Sequence, residues 1–296
     1  MVLLCGLKRS SLVIFRRVNM RQMILTLLIY LLAMPAAFAK DKESTYDRVI
    51  RTGEIRCGYL PWPPLLSKDM NTGEVEGPVA DYINRIGEVL DLKIIWSTEL
   101  NLTTYLQDLN NKRFDMECGG GWPNAIRGKY VDYTAPIFYM PFQIIKRKGD
   151  SRFTDLVALN DPDFTMAIMD GENSAATKQL KFPKSNVVEI PSSGQVSDLI
   201  LAVATKKADF TVVNTPSALA YMQNNQDKIE LVEPPVKYIP INISIAQDEP
   251  KLKTMLNVAT EQLVLSGEID QILKNHDPEH ASYVRVAKPY IEELNK

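Results

Sequence analysis

The chain has 296 residues, of which 34 are basic and 36 acidic, so its net charge is −2. Its first 39 residues have a positive start, an apolar run and the sequence Ala37-Phe38-Ala39. This pattern predicts a secretory signal peptide cleaved after Ala39. The alternative, a retained membrane anchor, fits less well because the run is about a dozen residues and a spanning helix needs roughly 20.

Removal of residues 1–39 leaves 257 residues with five fewer basic residues, and the net charge falls to −7. An acidic surface argues against nucleic acid and anionic lipid as partners. The remaining length suits one large domain or two lobes of ordinary size. We therefore expect an exported, periplasmic protein that is a monomer.

Short apolar or β-branched runs predict strands, and two stretches with apolar residues every three or four positions predict helices. The strands are expected at 93–96, 114–118, 142–145, 164–169, 186–190, 210–213 and 242–246, and the helices at 79–90 and 252–263. Strands that alternate with helices indicate an α/β protein with mainly parallel sheets. Ligands of such sheets bind at the carboxyl ends of strands.

The segment 114–142 contains the most informative pattern in the chain. A predicted strand runs into Gly119, Gly120 and Gly121, and Arg127 follows a turn-forming Pro-Asn pair. Exposed backbone amides beside one guanidinium would form a carboxylate receptor. The alternative is a glycine-rich turn followed by a solvated arginine, and this segment alone does not decide between them.

Two breaks in composition indicate linkers. Residues 146–150 form a charged turn, and residues 233–240 are rich in proline. Between them lies a block of roughly a hundred residues with its own alternation of strands and helices, the size of a small domain.

The order of several motifs resembles the family 3 extracellular solute-binding proteins of amino-acid ABC transporters. The motifs include 55–59 (Ile-Arg-Cys-Gly-Tyr), 62–65 (Trp-Pro-Pro-Leu), 73–77 (Gly-Glu-Val-Glu-Gly), Arg127, 131–136 (Val-Asp-Tyr-Thr-Ala-Pro) and 170–174 (Asp-Gly-Glu-Asn-Ser). The resemblance implies a type II periplasmic-binding fold, in which two α/β lobes joined by two crossover strands close on a ligand. Lobe 1 is expected at 46–141 plus 241–296, and lobe 2 at 142–240.

The resemblance also implies roles for individual residues. Arg127 matches the arginine that binds the ligand's α-carboxylate, and Trp62 matches an aromatic residue that covers one side of the ligand. Gly120 lies in the glycine segment of this expected site. Trp122 stands where the family usually has a small hydroxyl residue, so we expect a smaller or more aromatic pocket.

The part of the site that binds an α-ammonium group differs from the family pattern. Asn214 replaces an aspartate and Tyr59 replaces a second acid, and neither provides a countercharge. Glu117, Asp170 or Glu172 could supply one instead. Asn173 and Ser174, at a predicted helix start, could add donors to the carboxylate.

Cys57 and Cys118 are the cysteines of the exported chain, and both fall on strands that the fold would make adjacent and parallel. Their offset of 61 residues is also the offset from Arg56 to Glu117. This register would place the cysteines side by side and would pair the two charged residues. The alternatives are a disulfide and two buried free thiols.

No catalytic or cofactor motif emerges from the sequence. The exported chain has two histidines, His276 and His280, and Pro278 breaks the helix that would align them on a metal. We expect a binding protein without metal or cofactor that delivers a small carboxylate to an ABC permease. The alternatives are a cleft-carboxylate dehydratase of the same fold, similar to cyclohexadienyl dehydratase, which would use Glu117 or Glu172, and a sensor or accessory binding module.

Overall fold

The computed structural model describes residues 43–153, 155–279 and 282–286. The predicted signal peptide and His280 lie outside the described residues. Strands and helices alternate along most of this range, as the α/β prediction requires. The strands are β1 Glu54–Tyr59, β2 Ser67–Lys68, β3 Val75–Glu76, β4 Lys93–Glu99, β5 Met116–Gly121, β6 Val131–Tyr133, β7 Phe138–Arg147, β8 Thr165–Met169, β9 Asn186–Ile190, β10 Phe210–Asn214, β11 Ile229–Ala246 and β12 Val284–Arg285.

A short 3-10 turn, Arg127–Lys129, lies after β5. The helices are α1 Thr45–Thr52, α2 Pro78–Val89, α3 Tyr105–Asn110, α4 Asn173–Lys181, α5 Val196–Ala204, α6 Thr215–Asn224, α7 Pro250–Leu265 and α8 Glu268–His276. None of the described helices is long and apolar enough to cross a membrane.

Two groups of parallel strands are linked by two long antiparallel strands. The order across the sheet is β4-β1-β5-β11-β7-β10-β8-β9. β4, β1 and β5 are parallel to one another, as are β10, β8 and β9, whereas β7 and β11 run antiparallel between the groups. The chain thus leaves the first group along β7 and returns to it along β11. The expected lobe boundaries, 141/142 and 240/241, fall within these two strands and stay a prediction.

Helix α7 packs against helix α2, which lies about 170 residues earlier in the chain. Helix α2 starts with proline at its first position and buries Val79, Ile83 and Ile86, which is the face that the sequence spacing predicted. On the same helix, the Tyr82 hydroxyl lies 2.6 Å from Thr260 Oγ1 of α7. Contacts of this kind join segments far apart in sequence around one core.

The predicted register between β1 and β5 was wrong. Cys57 pairs with Met116, so Arg56 faces Asp115 rather than Glu117. Asp115 is buried and accepts hydrogen bonds from the guanidinium groups of both Arg48 and Arg56. An unpaired buried carboxylate would cost several kcal/mol, so this double pairing fixes the register.

The two cysteines are bonded to each other in the structure in spite of the shifted register. Cys57 and Cys118 have Cα atoms 5.5 Å apart, inside the range that a disulfide allows. Both side chains are fully buried in the core of the first strand group. The bond therefore connects the middle of β1 to the middle of β5, directly beneath the glycine segment.

Candidate functional site

The glycine segment at the end of β5 accommodates a carboxylate of the chain itself. Glu117 is buried, and its Oε1 accepts a hydrogen bond of 2.7 Å from the Gly119 amide. Its Oε2 accepts one of 3.3 Å from the Ser244 hydroxyl. A Cβ atom at Gly119 would lie 2.8 Å from Oε1, and one at Gly121 would lie 2.5 Å from Oε2. The glycines are thus required by the side chain of Glu117.

This arrangement differs from the prediction that the glycine amides are free to receive a ligand. The Gly119 amide already has an acceptor. Gly120 has φ of +87°, a conformation that favours glycine, and lines the cavity described below. The glycines therefore have two roles. They leave room for the buried side chain of Glu117, and they line the nearby cavity.

Burial raises the pKa of Glu117 to about 7, because the ionised form loses its hydration. The Gly119 amide, the Ser244 hydroxyl and the charge of Arg127 act in the opposite direction. The sequence offered Glu117 as one of three replacement acids, and its side chain lines the cavity next to Arg127. This carboxyl group changes its charge near neutral pH.

Arg127 lies between two aromatic rings and reaches the start of α4. Its Cζ atom is 5.4 Å from the centre of the Trp122 ring and 5.5 Å from that of Tyr105. Its backbone amide donates to Asn124 Oδ1 over 2.9 Å, which sets the turn, and its Nη2 donates to the Gly171 carbonyl over 3.1 Å. The guanidinium is therefore held by cation–π contacts and by a bond to the other strand group.

The cavity beside Arg127 is narrow and mostly aromatic. Trp62 and Trp122 meet edge to face, with ring centres 5.7 Å apart. The space open to water-sized molecules is about 30 Å³, and the cavity is partly open to solvent. It is lined by Leu60, Trp62, Leu100, Leu102, Tyr105, Glu117, Gly119, Gly120, Gly121, Trp122 and Arg127.

The predicted residues Asn173 and Ser174 begin helix α4 and do not line this cavity. The Glu172 carboxylate caps the helix by accepting from the Ser174 amide over 2.6 Å. The Ser174 hydroxyl accepts from the Met169 amide over 3.0 Å. Asn173 Oδ1 accepts from Lys237 Nζ over 3.1 Å. At this helix start the Ser174 amide donates to the Glu172 carboxylate, just as the Gly119 amide of the glycine segment donates to Glu117.

Asn214 and Tyr59 are also outside the cavity. Asn214 is buried, and its Oδ1 caps α6 by accepting from the Ser217 amide over 2.9 Å. The ring of Tyr59 packs edge to face on Trp96, and the ammonium of Lys68 lies 5.7 Å from the Tyr59 ring centre. The role of these two residues in ligand binding, expected from the resemblance, stays a prediction.

Two site residues were missed by the sequence analysis. Tyr105 forms one wall of the Arg127 pocket, and Lys237 contacts the start of α4. Tyr105 starts a helix of six residues, too short to produce a periodic signal. Lys237 lies in the proline-rich stretch that was read as a linker and that the structure shows to be part of β11.

Comparison with solved structures shows the fold. The chain is similar to an ancestral amino acid-binding protein described as a precursor of cyclohexadienyl dehydratase, with a TM-score of 0.69 and 22% identity over 79% of this chain and 99% of that one. It is similar to an ancestral arginine-binding protein bound to arginine, with a TM-score of 0.67 and 22% identity over 76% and 98%. It is also similar to AbpA of Streptococcus pneumoniae, an amino acid ABC transporter substrate-binding protein bound to L-arginine, with a TM-score of 0.67 and 16% identity over 78% and 97%.

These likenesses bear out the type II periplasmic-binding fold predicted from the sequence. No curated protein matched the chain. The profile of the bacterial extracellular solute-binding proteins, family 3, matches residues 55–279, which is well over half of the sequence. The chain therefore belongs to the family 3 bacterial extracellular solute-binding proteins.

Proposed function

We propose that this protein is a periplasmic binding protein for an amino acid or a related small carboxylate, which it delivers to an ABC permease. Arg127 carries the proposal. It provides a cation at a cavity with aromatic walls, and the resemblance of the surrounding motifs implies that it is the arginine that binds the ligand's carboxylate. The similar structures named for bound arginine or for amino acid binding support the same class of ligand.

In the proposed mechanism the two strand groups close around the bound solute. The solute carboxylate binds the Arg127 guanidinium and displaces its present bond to the Gly171 carbonyl. The indole rings of Trp62 and Trp122 then cover the apolar part of the solute. Closure is a population shift that is driven by the difference in solute affinity between open and closed forms.

The test is a binding screen of the purified mature protein, by thermal shift and then calorimetry, against amino acids, small peptides and keto acids. We expect Arg127→Ala to raise the dissociation constant of the tightest-binding ligand about 30- to 200-fold, because a charge-assisted hydrogen-bonded pair contributes about 2–3 kcal/mol. Arg113→Ala is the matched control, because Arg113 is an exposed arginine paired with Asp108. Full affinity in the Arg127 variant would refute the proposal.

The dehydratase alternative has weaker support. Such an enzyme needs a carboxyl group that can exchange a proton with a bound substrate, and of the two candidates Glu172 caps helix α4 and lies outside the cavity, which leaves Glu117 alone. The protein named as a precursor of cyclohexadienyl dehydratase is itself described as an amino acid-binding protein. Turnover of prephenate or arogenate by the purified protein would reverse this preference.

A further inference from the structure

Three side-chain N–H groups of the expected site are buried without a hydrogen-bond partner among the described residues. They belong to Trp62, Asn173 and Asn214, which are 4%, 9% and 1% exposed. A buried donor left unsatisfied is destabilising, so each such group needs an explanation. Donors of this kind fit a ligand that supplies acceptor oxygens.

The identity of these groups as donors follows from their neighbours. Asn173 Oδ1 accepts from the Lys237 ammonium, which can only donate, so the atom that remains is the amide nitrogen. Asn214 Oδ1 accepts from the Ser217 backbone amide, which can also only donate. The indole nitrogen of Trp62 has no acceptor capacity. All three groups therefore demand acceptors and could not be satisfied by an ammonium.

Lys237 adds a second cation beside one of these donors. It lies in the middle of β11, is half-buried, and donates to two neutral acceptors, Asn173 Oδ1 at 3.1 Å and Thr177 Oγ1 at 2.8 Å. Its ammonium is 5.5 Å from the centre of the Phe142 ring. Within the described part of the chain, no carboxylate lies within salt-bridge distance of it. The nearest acid, Glu172, is already bonded to the Ser174 amide.

Lys237 and Arg127 contact the same short segment. Arg127 Nη2 donates to the carbonyl of Gly171, and Lys237 Nζ donates to the side chain of Asn173. Two peptide units separate these residues, so their Cα atoms are at most about 7.6 Å apart. The two cations therefore each donate to a residue of the same short segment at the start of α4.

We propose that Lys237 and the Asn173 amide bind a second acidic group of the ligand, so that the solute is a small dicarboxylate with one carboxylate on Arg127. This inference rests on the proposed function and specifies its substrate class. The arrangement has two cations and three unsatisfied donors for the ligand. Asn214 and Tyr59 provide no countercharge for an ammonium group, and the Glu117 carboxyl group already accepts hydrogen bonds from the Gly119 amide and the Ser244 hydroxyl. A ligand with two acids satisfies these groups better than a monocarboxylic amino acid does.

The test compares dicarboxylates with their own half-amides, glutarate with glutaramate and succinate with succinamate, by calorimetry on the mature protein. The members of each pair have nearly the same shape and differ by one charge. We expect the better dicarboxylate to bind about 30-fold more tightly than its half-amide, the effect of one buried charge pair. In Lys237→Met this ratio should fall below about 3, with the half-amide affinity unchanged.

Two further variants keep the result interpretable. Lys237→Arg retains the charge and should keep a preference of more than about 10-fold, and it serves as the second variant if the methionine variant does not fold. Lys228→Met, at an exposed lysine near the start of β11, is the matched control and should leave the ratio unchanged.

The failures of the two proposals are distinguishable. If an amino acid with one carboxylate binds through Arg127 while neither dicarboxylate binds better than its half-amide, the second subsite is wrong and the proposed function stands. If the preference for the dicarboxylate over its half-amide is the same in wild type and in Lys237→Met, the second subsite is likewise wrong. If no carboxylate of either panel binds, both proposals fail.

Discussion

The end of β5 and the start of α4 solve the same problem in different ways. In each region a glutamate accepts a hydrogen bond from a backbone amide two residues later, over 2.7 Å at Gly119 and over 2.6 Å at Ser174. At β5 the glutamate side chain folds back on its own strand, and only glycine leaves room for it. At α4 the glutamate is a helix cap, which other acceptor side chains can replace. Two similar hydrogen bonds therefore lie in regions that tolerate substitution very differently: the glycines beside Glu117 cannot be replaced without a clash, whereas the cap at Glu172 can be replaced by another acceptor.

The largest effect is expected for Gly121→Ala. The added methyl group would lie 2.5 Å from Glu117 Oε2 and still closer to Ser244 Oγ, so the side chains of these two buried residues would have to move. We expect the free energy of unfolding, measured by urea denaturation, to fall by about 3 kcal/mol, the upper end of the usual cost of overpacking. Gly128→Ala is the control, because a Cβ atom there has nothing within 4 Å, and its effect should be within about 0.5 kcal/mol. Equal stability of the two variants would show that Glu117 does not occupy the glycine segment.

Glu117→Gln should change how stability depends on pH. The pKa of Glu117 rises from 4.5 to about 7 on folding, so between these values the folded state binds more protons than the unfolded state. Its contribution to stability is therefore lost as the pH rises from 4.5 to 7, by about 3 kcal/mol at 1.36 kcal/mol per pH unit. The difference between wild type and variant in unfolding free energy should change by this amount across the window. A constant difference would mean that Glu117 titrates normally.

A smaller effect is expected for Glu172→Ala, which removes the cap of α4. Loss of a helix cap costs about 1 kcal/mol, and relief of a buried carboxylate whose pKa is raised by burial acts in the opposite direction. Thermal unfolding at neutral pH measures the net change. Glu189→Ala, at an exposed position of β9, is the control and should be neutral. A loss as large as that of Gly121→Ala would remove the distinction between the two regions.

Much of the fold was predictable from local patterns. The strand at 186–190 was predicted with the bounds that the structure shows, and the helix around Ile83 was predicted to within two residues. The long strands β7 and β11 were recognised only in part, at 142–145 and at 242–246. Strand β11 crosses from one strand group to the other and contains the prolines that were read as a linker. Its partners are set by the whole sheet rather than by its own sequence.

The candidate site was predictable in its residue types and less so in its contacts. The cavity does contain Arg127 and Trp122. The register error at Arg56 arose because Asp115 is fixed by a second arginine, Arg48, which lies 67 residues away on α1. Likewise, the partner of Lys237 is on a helix about 60 residues earlier. Offsets within a sequence cannot detect a third residue that decides a pairing.

The return of β11 to the first strand group also fixes the order in which the protein can fold. Strand β5 pairs with β1 on one side and with residues 242–245 on the other, more than 120 positions later. This edge of β5 stays open until residues 242–245 pair with it, and exposed strand edges are where chains associate wrongly. A sheet completed by contacts of such long sequence separation is expected to form slowly. The segment that carries Lys237 thus both joins the two halves and completes the first of them last.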